Sequence, residues 1–237
     1  MAANANYKDL TLIMPTLNEA KSIERIVKGL RQKYSGINIL VVDDGSTDGT
    51  DSIVGKLSKS DNAVSLLERR GKSRGLTASV IDGMMTSKTK FVAVMDADLQ
   101  HPIDTVKNLY SSLSSGNDIA VAFRERVDGW PLYRKLISQS LSALGMIVLL
   151  ASGKKTTRDI FSGFFGIRRN SIYPIIKKNR PRFVGEGYKV LFDLLKCINS
   201  SDSIKIGEVP YTFRQREFGL SKAGTKQALA LLKSFLS

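Results

Sequence analysis

Phe91-Val92-Ala93-Val94-Met95-Asp96-Ala97-Asp98-Leu99-Gln100 is the stretch on which the reading of this chain turns. The apolar run reads as a buried strand, and it ends on two acids one residue apart. Residues i and i+2 of a strand point to the same side, so Asp96 and Asp98 are expected to aim two carboxylates at one point beyond a sheet edge. Like charges held that close repel unless a cation sits between them. A hard divalent ion bound by few carboxylates and completed by phosphates answers that need. A solvated turn after a strand looks the same in isolation, so the flanking chain has to decide between the two.

Outward from this stretch, strand and helix patterns alternate over the first 125 residues. Short apolar runs occupy residues 10–14 (closed by Pro15), 37–42, 64–67, 91–95 and 119–123. Between them lie helical patterns: Ile23, Ile26, Val27 and Leu30; then Ile53, Val54 and Leu57, with Ser46, Thr47 and Asp48 available as caps; then residues 76–85; then Ile103, Val106, Tyr110 and Leu113 behind Pro102. Continuous apolar strands alternating with helices predict an α/β domain with a mostly parallel central sheet covered on both faces. Ligands in such sheets bind beyond the carboxyl ends of the strands, which is where the acids fall. After Arg124 the pattern loosens into a basic second half. Strands are expected at 163–167 and 206–213 and a helix near 188–197, within the same folding unit.

The chain has 237 residues, 42% of them hydrophobic, and a formal net charge of +14. That excess favours phosphate-bearing partners: nucleotides, anionic lipid or nucleic acid. No zinc-finger spacing, RNA-recognition aromatic motif or helix-turn-helix signature accompanies it, so nucleic acid is not the expected partner. Cys197 is the only cysteine and lies in an apolar-periodic stretch, which predicts a buried thiol and a reducing setting. Residues 1–9 are polar and lack an apolar signal core, so secretion is not expected. Residues 136–153 carry no charge, but Ser138, Gln139, Ser140 and Ser142 interrupt their first half. They predict an amphipathic helix that packs on the core or lies in a membrane interface.

Three constellations stand in order at strand ends: Pro15-Thr16-Leu17-Asn18-Glu19, then Val42-Asp43-Asp44-Gly45-Ser46-Thr47-Asp48-Gly49, then Asp96-Ala97-Asp98-Leu99-Gln100-His101-Pro102. Caps and turns explain parts of each. Two adjacent acids closing a buried strand exceed what one cap requires, and an Asp can also accept from a base or a ribose hydroxyl. The ordered set resembles the family 2 glycosyltransferases, an inverting group with a GT-A fold. The resemblance implies that Pro15, Leu17, Glu19, Val42, Asp43 and Asp44 hold the donor nucleotide. It also implies that Asp96, Asp98 and Gln100 hold Mg²⁺ or Mn²⁺ on the donor diphosphate, with Ala97 beside the nucleotide.

The second half narrows the resemblance. Gly129-Trp130-Pro131-Leu132-Tyr133-Arg134-Lys135-Leu136-Ile137-Ser138, Asp159-Ile160-Phe161-Ser162-Gly163-Phe164, Gly187-Tyr188-Lys189, Gly207-Glu208-Val209-Pro210 and Phe213-Arg214-Gln215-Arg216-Glu217-Phe218-Gly219-Leu220-Ser221-Lys222 are similar to segments of dolichyl-phosphate mannosyltransferases. What this implies is transfer of mannose from GDP-mannose to a dolichyl or other polyprenyl phosphate. The acceptor phosphate would lie on Arg124, Arg134 and Ser138, and Asp98, Arg124 and Arg134 would serve the reaction most directly. Lys189, Arg216 and Lys222 would add positive charge at the diphosphate. The implied setting is peripheral, on the cytoplasmic face of a membrane, with a small membrane-anchoring partner subunit as a further expectation. On this basis residues 1–9 are a polar N-terminus, 10–125 the nucleotide-sugar half, 126–222 the acceptor half of the same domain, and 223–237 a membrane-proximal helix. The competing enzyme reading is a UDP-glucose-dependent transferase with a lipid acceptor. The competing non-enzyme reading is a basic scaffold or nucleic-acid-binding protein, against which the intact acids argue.

Overall fold

The computed structural model describes residues 6–71, 74–183, 189–215 and 217. The elements run β1 (Leu10–Thr16), α1 (Ile23–Lys33), β2 (Asn38–Asp43), α2 (Thr50–Ser60), β3 (Val64–Glu68), α3 (Leu76–Thr86), β4 (Phe91–Val94), α4 (Thr105–Ser114), β5 (Ile119–Val127), α5 (Leu132–Ala151), β6 (Phe165–Arg168), α6 (Arg169–Lys178), a short 3₁₀ turn (Arg180–Arg182), α7 (Val190–Leu195) and β7 (Ile206–Phe213). They form one seven-stranded sheet in the order β3-β2-β1-β4-β6-β5-β7. Only β6 is antiparallel to its neighbours, β4 and β5. The connections reverse direction between β1 and β4, so a crevice opens beyond the carboxyl ends of these two strands.

β1 is buried at every position, as a central strand covered on both faces must be. On one face Ile23, Ile26 and Leu30 of α1, Val54 of α2 and Val106 and Leu109 of α4 close one core. On the other, Val80, Ile81 and Met84 of α3, Ile172 of α6 and Leu191 of α7 close a second. The predicted α/β architecture therefore holds, with boundaries that differ for identifiable reasons.

Pro15 does not end β1. Ile13 accepts from Met95 on the β4 side. Pro15 faces the same side two residues on, past the last β1–β4 pair, so its missing N–H removes no ladder bond. α2 starts at Thr50, after Gly49 at φ +92°. Asp48 still serves the helix start by accepting from the Thr50 N–H at 3.1 Å. β5 runs to Val127, well past 123, because β7 pairs with it along its length around a bulge at Arg124–Arg126. Cys197 is half-buried, and its thiol donates to the Asp193 carbonyl at 3.3 Å. Burial pushes that thiol up from its ordinary value.

α5 begins at Leu132, four residues before the uncharged stretch, so Arg134 and Lys135 lie in its first turn. Only Gly145 and Leu149 of this helix are buried. Leu132, Tyr133, Leu136, Ile137, Leu141, Leu144, Ile147 and Leu150 are the exposed large hydrophobic residues among the described residues, and all belong to it.

Gly83 sets how closely α3 lies on the sheet. A Cβ there would stand 2.9 Å from both Ile13 Cγ2 and Val42 Cγ2. Gly83→Ala is expected to destabilise the domain by about 1–3 kcal/mol through overpacking, read as a lowered denaturant midpoint at unchanged slope.

Candidate active site

The loops after β1 and β2 are fastened to each other by side chains the sequence supplies for turns. Asn18, at φ +57°, donates its N–H to Ser46 Oγ at 2.8 Å and accepts from the Thr47 N–H at 2.8 Å. The Glu19 N–H donates to Thr50 Oγ1 at 2.9 Å, and the Ala20 N–H to Asp48 Oδ2 at 2.9 Å. Beneath them the buried Asp43 carboxylate accepts from Thr16 Oγ1 at 3.0 Å, the Gly45 N–H at 3.1 Å and the Ser46 N–H at 2.8 Å. Asp44 accepts from the Gly75 N–H at 2.7 Å and pairs with Arg69. Arg69 is itself buried and continues to Asp82 at 2.9 Å and Ser79 at 3.2 Å. Both carboxylates are thus engaged by the protein. Asp44 also lines a cleft of about 520 Å³ with Gly45, Ser46, Thr47, Arg69, Arg70, Gly71 and Arg74. Arg74 Nη2 donates to the Gly45 carbonyl at 3.0 Å across that cleft.

Pro15 and Val42 are buried, and the Val42 side chain packs toward α3. Leu17 and Glu19 are half-buried on the first loop. The predicted nucleotide residues therefore gather at one place, with Pro15 and Val42 offering backbone rather than side chain.

The acid pair does not sit in a strand. β4 ends at Val94, and Leu99 takes φ +65° as the Gln100 N–H turns back onto Asp98 Oδ1 at 3.1 Å. The i,i+2 alternation is replaced by a turn, in which the Asp96 side chain is 34% exposed and Asp98 is buried. His101 Nε2 lies 3.3 Å from Asp96 Oδ2. The buried Nδ1 has no partner among the described residues, which assigns the donated hydrogen to Nε2. Phe164, Tyr211 and Phe213 surround the His101 ring. A Cβ at Gly163 would stand 3.2 Å from Asp96 Oδ2, so the glycine keeps that oxygen uncrowded. Gln100 is fastened to the exit of β7: its Nε2 donates to the Arg214 carbonyl at 3.0 Å, and the Arg214 N–H returns a bond to Gln100 O at 2.9 Å.

No group of three or more His, Cys, Asp or Glu poised for a metal exists among the described residues. Asp96, Asp98 and the Gln100 amide nevertheless offer oxygen donors from one turn, with an imidazole N–H behind one carboxylate. That chemistry fits a hard divalent ion that keeps waters and substrate phosphates as its other ligands.

Cations from the second half face the acids. Arg124 forms a bidentate pair with Asp159, Nε to Oδ2 at 2.7 Å and Nη2 to Oδ1 at 2.9 Å. Burial opposes its charge, yet the hydrogen bonds and charge of Asp159 hold the guanidinium above its ordinary pKa. The guanidinium carbons of Arg134 and Arg124 lie 4.3 and 5.8 Å from the Trp130 ring centroid. Ser138 follows Arg134 by one turn of α5, where side chains four apart are neighbours. The Lys189 ammonium stands 4.7 Å from the centre of the Phe161 ring. Burial pushes Lys189 down to about 8, Arg124 adds to the depression, and Asp159 and Asp96 oppose it. Burial drives Tyr211 far above its ordinary value, with Arg124, Asp159, Asp96 and Asp98 all acting on it. Through His101, Phe213 and Trp130 the contacts join Asp96, Arg124, Asp159 and Arg134 into one neighbourhood. Arg216 and Lys222 lie outside the described residues.

Sequence reasoning missed Arg69, Arg74 and Asp159 as parts of this site. The signals were there: a glycine-punctuated loop carrying three arginines (Arg69, Arg70 and Arg74), and an acid heading a Ser-Gly-Phe turn.

Residues 11–175 match the model of glycosyl transferase family 2. The chain is similar to the dolichol-phosphate mannosyltransferase of Pyrococcus furiosus, 34% identical over 94% of this chain and 62% of the relative. It thus spans somewhat less than two thirds of that protein. It is similar to the dolichol-phosphate mannosyltransferase of Saccharomyces cerevisiae, 30% identical over 95% of this chain and 85% of the relative. The polyprenol monophosphomannose synthase of Mycolicibacterium smegmatis is 31% identical over 89% of this chain and 79% of its own. In fold the chain resembles glucosyl-3-phosphoglycerate synthase of Mycobacterium tuberculosis in complex with Mn²⁺, UDP and glucosyl-3-phosphoglycerate. That likeness has a TM-score of 0.65 at 17% identity, over 96% of this chain and 77% of the other. Mannosyl-3-phosphoglycerate synthase of Rubrobacter xylanophilus gives a TM-score of 0.66 at 15% identity, over 95% and 72%.

Lys189 yields a pH dependence with a defined sign. Its folded value, about 8, lies below the ordinary 10.5, so it loses its charge on the way up through pH 8. The stability lost to a charged, partly buried ammonium is lost in full below about 8 and is recovered between about 8 and 10.5. Binding of a nucleoside diphosphate, titrated by calorimetry without divalent metal, is expected to weaken from pH 7 to 9. Lys189→Arg should hold that binding flat across the same range.

Proposed function

The chain belongs to glycosyl transferase family 2, and we propose on that premise that it transfers mannose from GDP-mannose to the phosphate of a dolichyl or other polyprenyl phosphate. The observation that carries this reading is the meeting of oppositely charged groups around Phe213: His101, 3.3 Å from Asp96, packs on one part of that ring, and the Arg124 guanidinium lies 5.9 Å from its centre. A transferase joining a diphosphate donor to a phosphate acceptor needs both.

In this reading the nucleoside lies in the cleft between the β2 loop, Asp44 to Thr47, and the arginines Arg69, Arg70 and Arg74, with Leu17 and Glu19 on the adjoining β1 loop. Asp96, Asp98 and Gln100 would hold Mg²⁺ or Mn²⁺, which supplies charge neutralisation at the diphosphate as it leaves. Arg124, Arg134 and Ser138 receive the acceptor phosphate, for which the planar guanidinium fork is suited. A phosphate oxygen of the acceptor is already anionic near neutral pH. It attacks the anomeric carbon as the bond from that carbon to the diphosphate oxygen breaks, with inversion. No proton has to be removed from the nucleophile, which agrees with a site whose one histidine donates to Asp96. Lys189, joined by Arg216 and Lys222, stabilises the departing diphosphate.

A lipid acceptor brings the membrane into the reading. α5 is long and apolar enough to cross a bilayer by length and composition. Arg134 and Lys135 in its first turn and the polar residues that follow favour a helix lying in the interface, at the cytoplasmic face, where such residues meet headgroups. A small anchoring subunit is compatible with the same face.

Glucosyl-3-phosphoglycerate synthase, a fold neighbour, was crystallised with UDP-glucose and Mn²⁺, which keeps a UDP-glucose donor as the second reading. A panel of radiolabelled GDP-mannose and UDP-glucose, incubated with dolichyl phosphate and Mn²⁺ and extracted into organic solvent, decides between them. Label in the lipid phase from GDP-mannose alone is expected. Asp98→Ala should lower that transfer by about 10²-fold or more and remove the metal dependence of nucleotide binding. Wild-type transfer by the variant would refute the metal assignment.

The membrane reading is tested separately. Ile137→Asp combined with Ile147→Asp should abolish co-sedimentation with anionic liposomes and leave the melting temperature unchanged, since both side chains are exposed.

A further inference from the structure

A guanidinium has two hydrogen-bonding edges, and in Arg124 the side edge is occupied. Nε and Nη2 donate to the two oxygens of Asp159 at 2.7 and 2.9 Å, and the Arg124 backbone N–H reaches Oδ2 at 3.4 Å. Among the described residues this leaves the end edge, built from Nη1 and the second hydrogen of Nη2, directed away from Asp159 and geometrically able to grip a phosphate bidentately. We propose that Asp159 is a positioning residue for the acceptor phosphate: it fixes the plane of Arg124 so that this end edge, and no other, meets the phosphate. The proposal rests on reading Arg124 as a phosphate ligand.

Three observations argue for fixation. Arg124 has cationic company that repels it, since Lys189 is depressed in part by Arg124. A rotamer-rich side chain under that repulsion swings away unless something holds it. The Trp130 and Phe213 rings, at 5.8 and 5.9 Å, contact the guanidinium without defining its rotation in its own plane. Only a two-point bond does that, and Asp159 supplies it. The carboxylate is itself held firmly: its side chain is 7% exposed, and the Ser162 N–H closes a turn onto the Asp159 carbonyl at 3.1 Å.

The experiment uses the full chain, dolichyl phosphate in detergent and the donor selected by the panel above, with nucleotide affinity measured by calorimetry. D159N is expected to raise the acceptor KM about tenfold, with kcat changed by less than about threefold and nucleotide affinity by less than about twofold. R124Q should raise the acceptor KM at least as much, and the double variant should be no worse than R124Q alone. A wild-type acceptor KM in D159N beside a raised one in R124Q overturns the positioning role and leaves the phosphate reading intact. An unchanged KM in R124Q overturns both. A loss confined to kcat in D159N would make Asp159 a participant in the chemistry and overturn the proposal. Because D159N leaves a buried guanidinium unpaired and can lower stability, D159E provides a second route. It keeps the charge one methylene further out and is expected to show the same rise in KM at the wild-type melting temperature, and a wild-type KM there also overturns the role.

Discussion

A carboxylate buried at the end of a parallel strand has to find donors, and how Asp43 finds them organises the donor side of this molecule. Its oxygens take the Thr16 hydroxyl from β1 and two successive N–H groups of its own loop. The Gly45–Ser46 turn is thereby drawn over the end of β2, and Ser46 and Thr47 come within reach of Asn18 on the neighbouring loop. An unpaired carboxylate at this depth would cost several kcal/mol, so the loops cannot relax independently. Asp44, one residue on, extends the same constraint to β3 and α3 through Arg69. The rim of the cleft is thus tied together by acids that are already engaged.

The acceptor side follows a different rule. There the second half brings the cations Arg124, Arg134 and Lys189 to the neighbourhood of the acids Asp159 and Asp96. Arg124 is paired, Lys189 is pushed toward neutrality by burial and by Arg124, and Arg134 is stacked on Trp130 and exposed. In the proposed reading two phosphate-bearing substrates bring their negative charge to these cations. The cations belong to β5, α5 and the residue preceding α7. Gln100 and Arg214 join the two sides by reciprocal bonds between the acid turn and the end of β7.

How much of this could be read from the residues depended on whether the signal was local. Strand and helix order, the parallel sheet and the gathering of acids at strand ends follow from apolar runs and their terminators, which act within a few residues. The boundaries that moved were set by partners distant in sequence: β5 lengthens because β7 pairs with it, and Pro15 stays in β1 because β4 has ended beside it. The acid pair was legible as a site but not as a geometry, since the turn at Leu99 replaces the expected strand alternation. Asp159 and Arg69 were hidden for a related reason. Each works through a partner 35 or 25 residues away, so the local motif marks the residue but not its partner.

α5 connects the chemistry to the setting in which it would occur. Its first turn carries Arg134, and one turn later Ser138 stands on the same side. From Leu132 to Leu150 the helix shows large apolar residues to solvent that the rest of the described chain keeps inside. Exposed Leu and Ile are ordinary when scattered, whereas a run of them on one element marks a surface that something apolar covers. A polyprenyl phosphate has a charged head and a long apolar tail. One helix with guanidinium at its start and an uncovered apolar body matches both parts in the order the lipid presents them. Water would be left only around the sugar and the two phosphates, where an anionic nucleophile with no proton to lose meets the anomeric carbon.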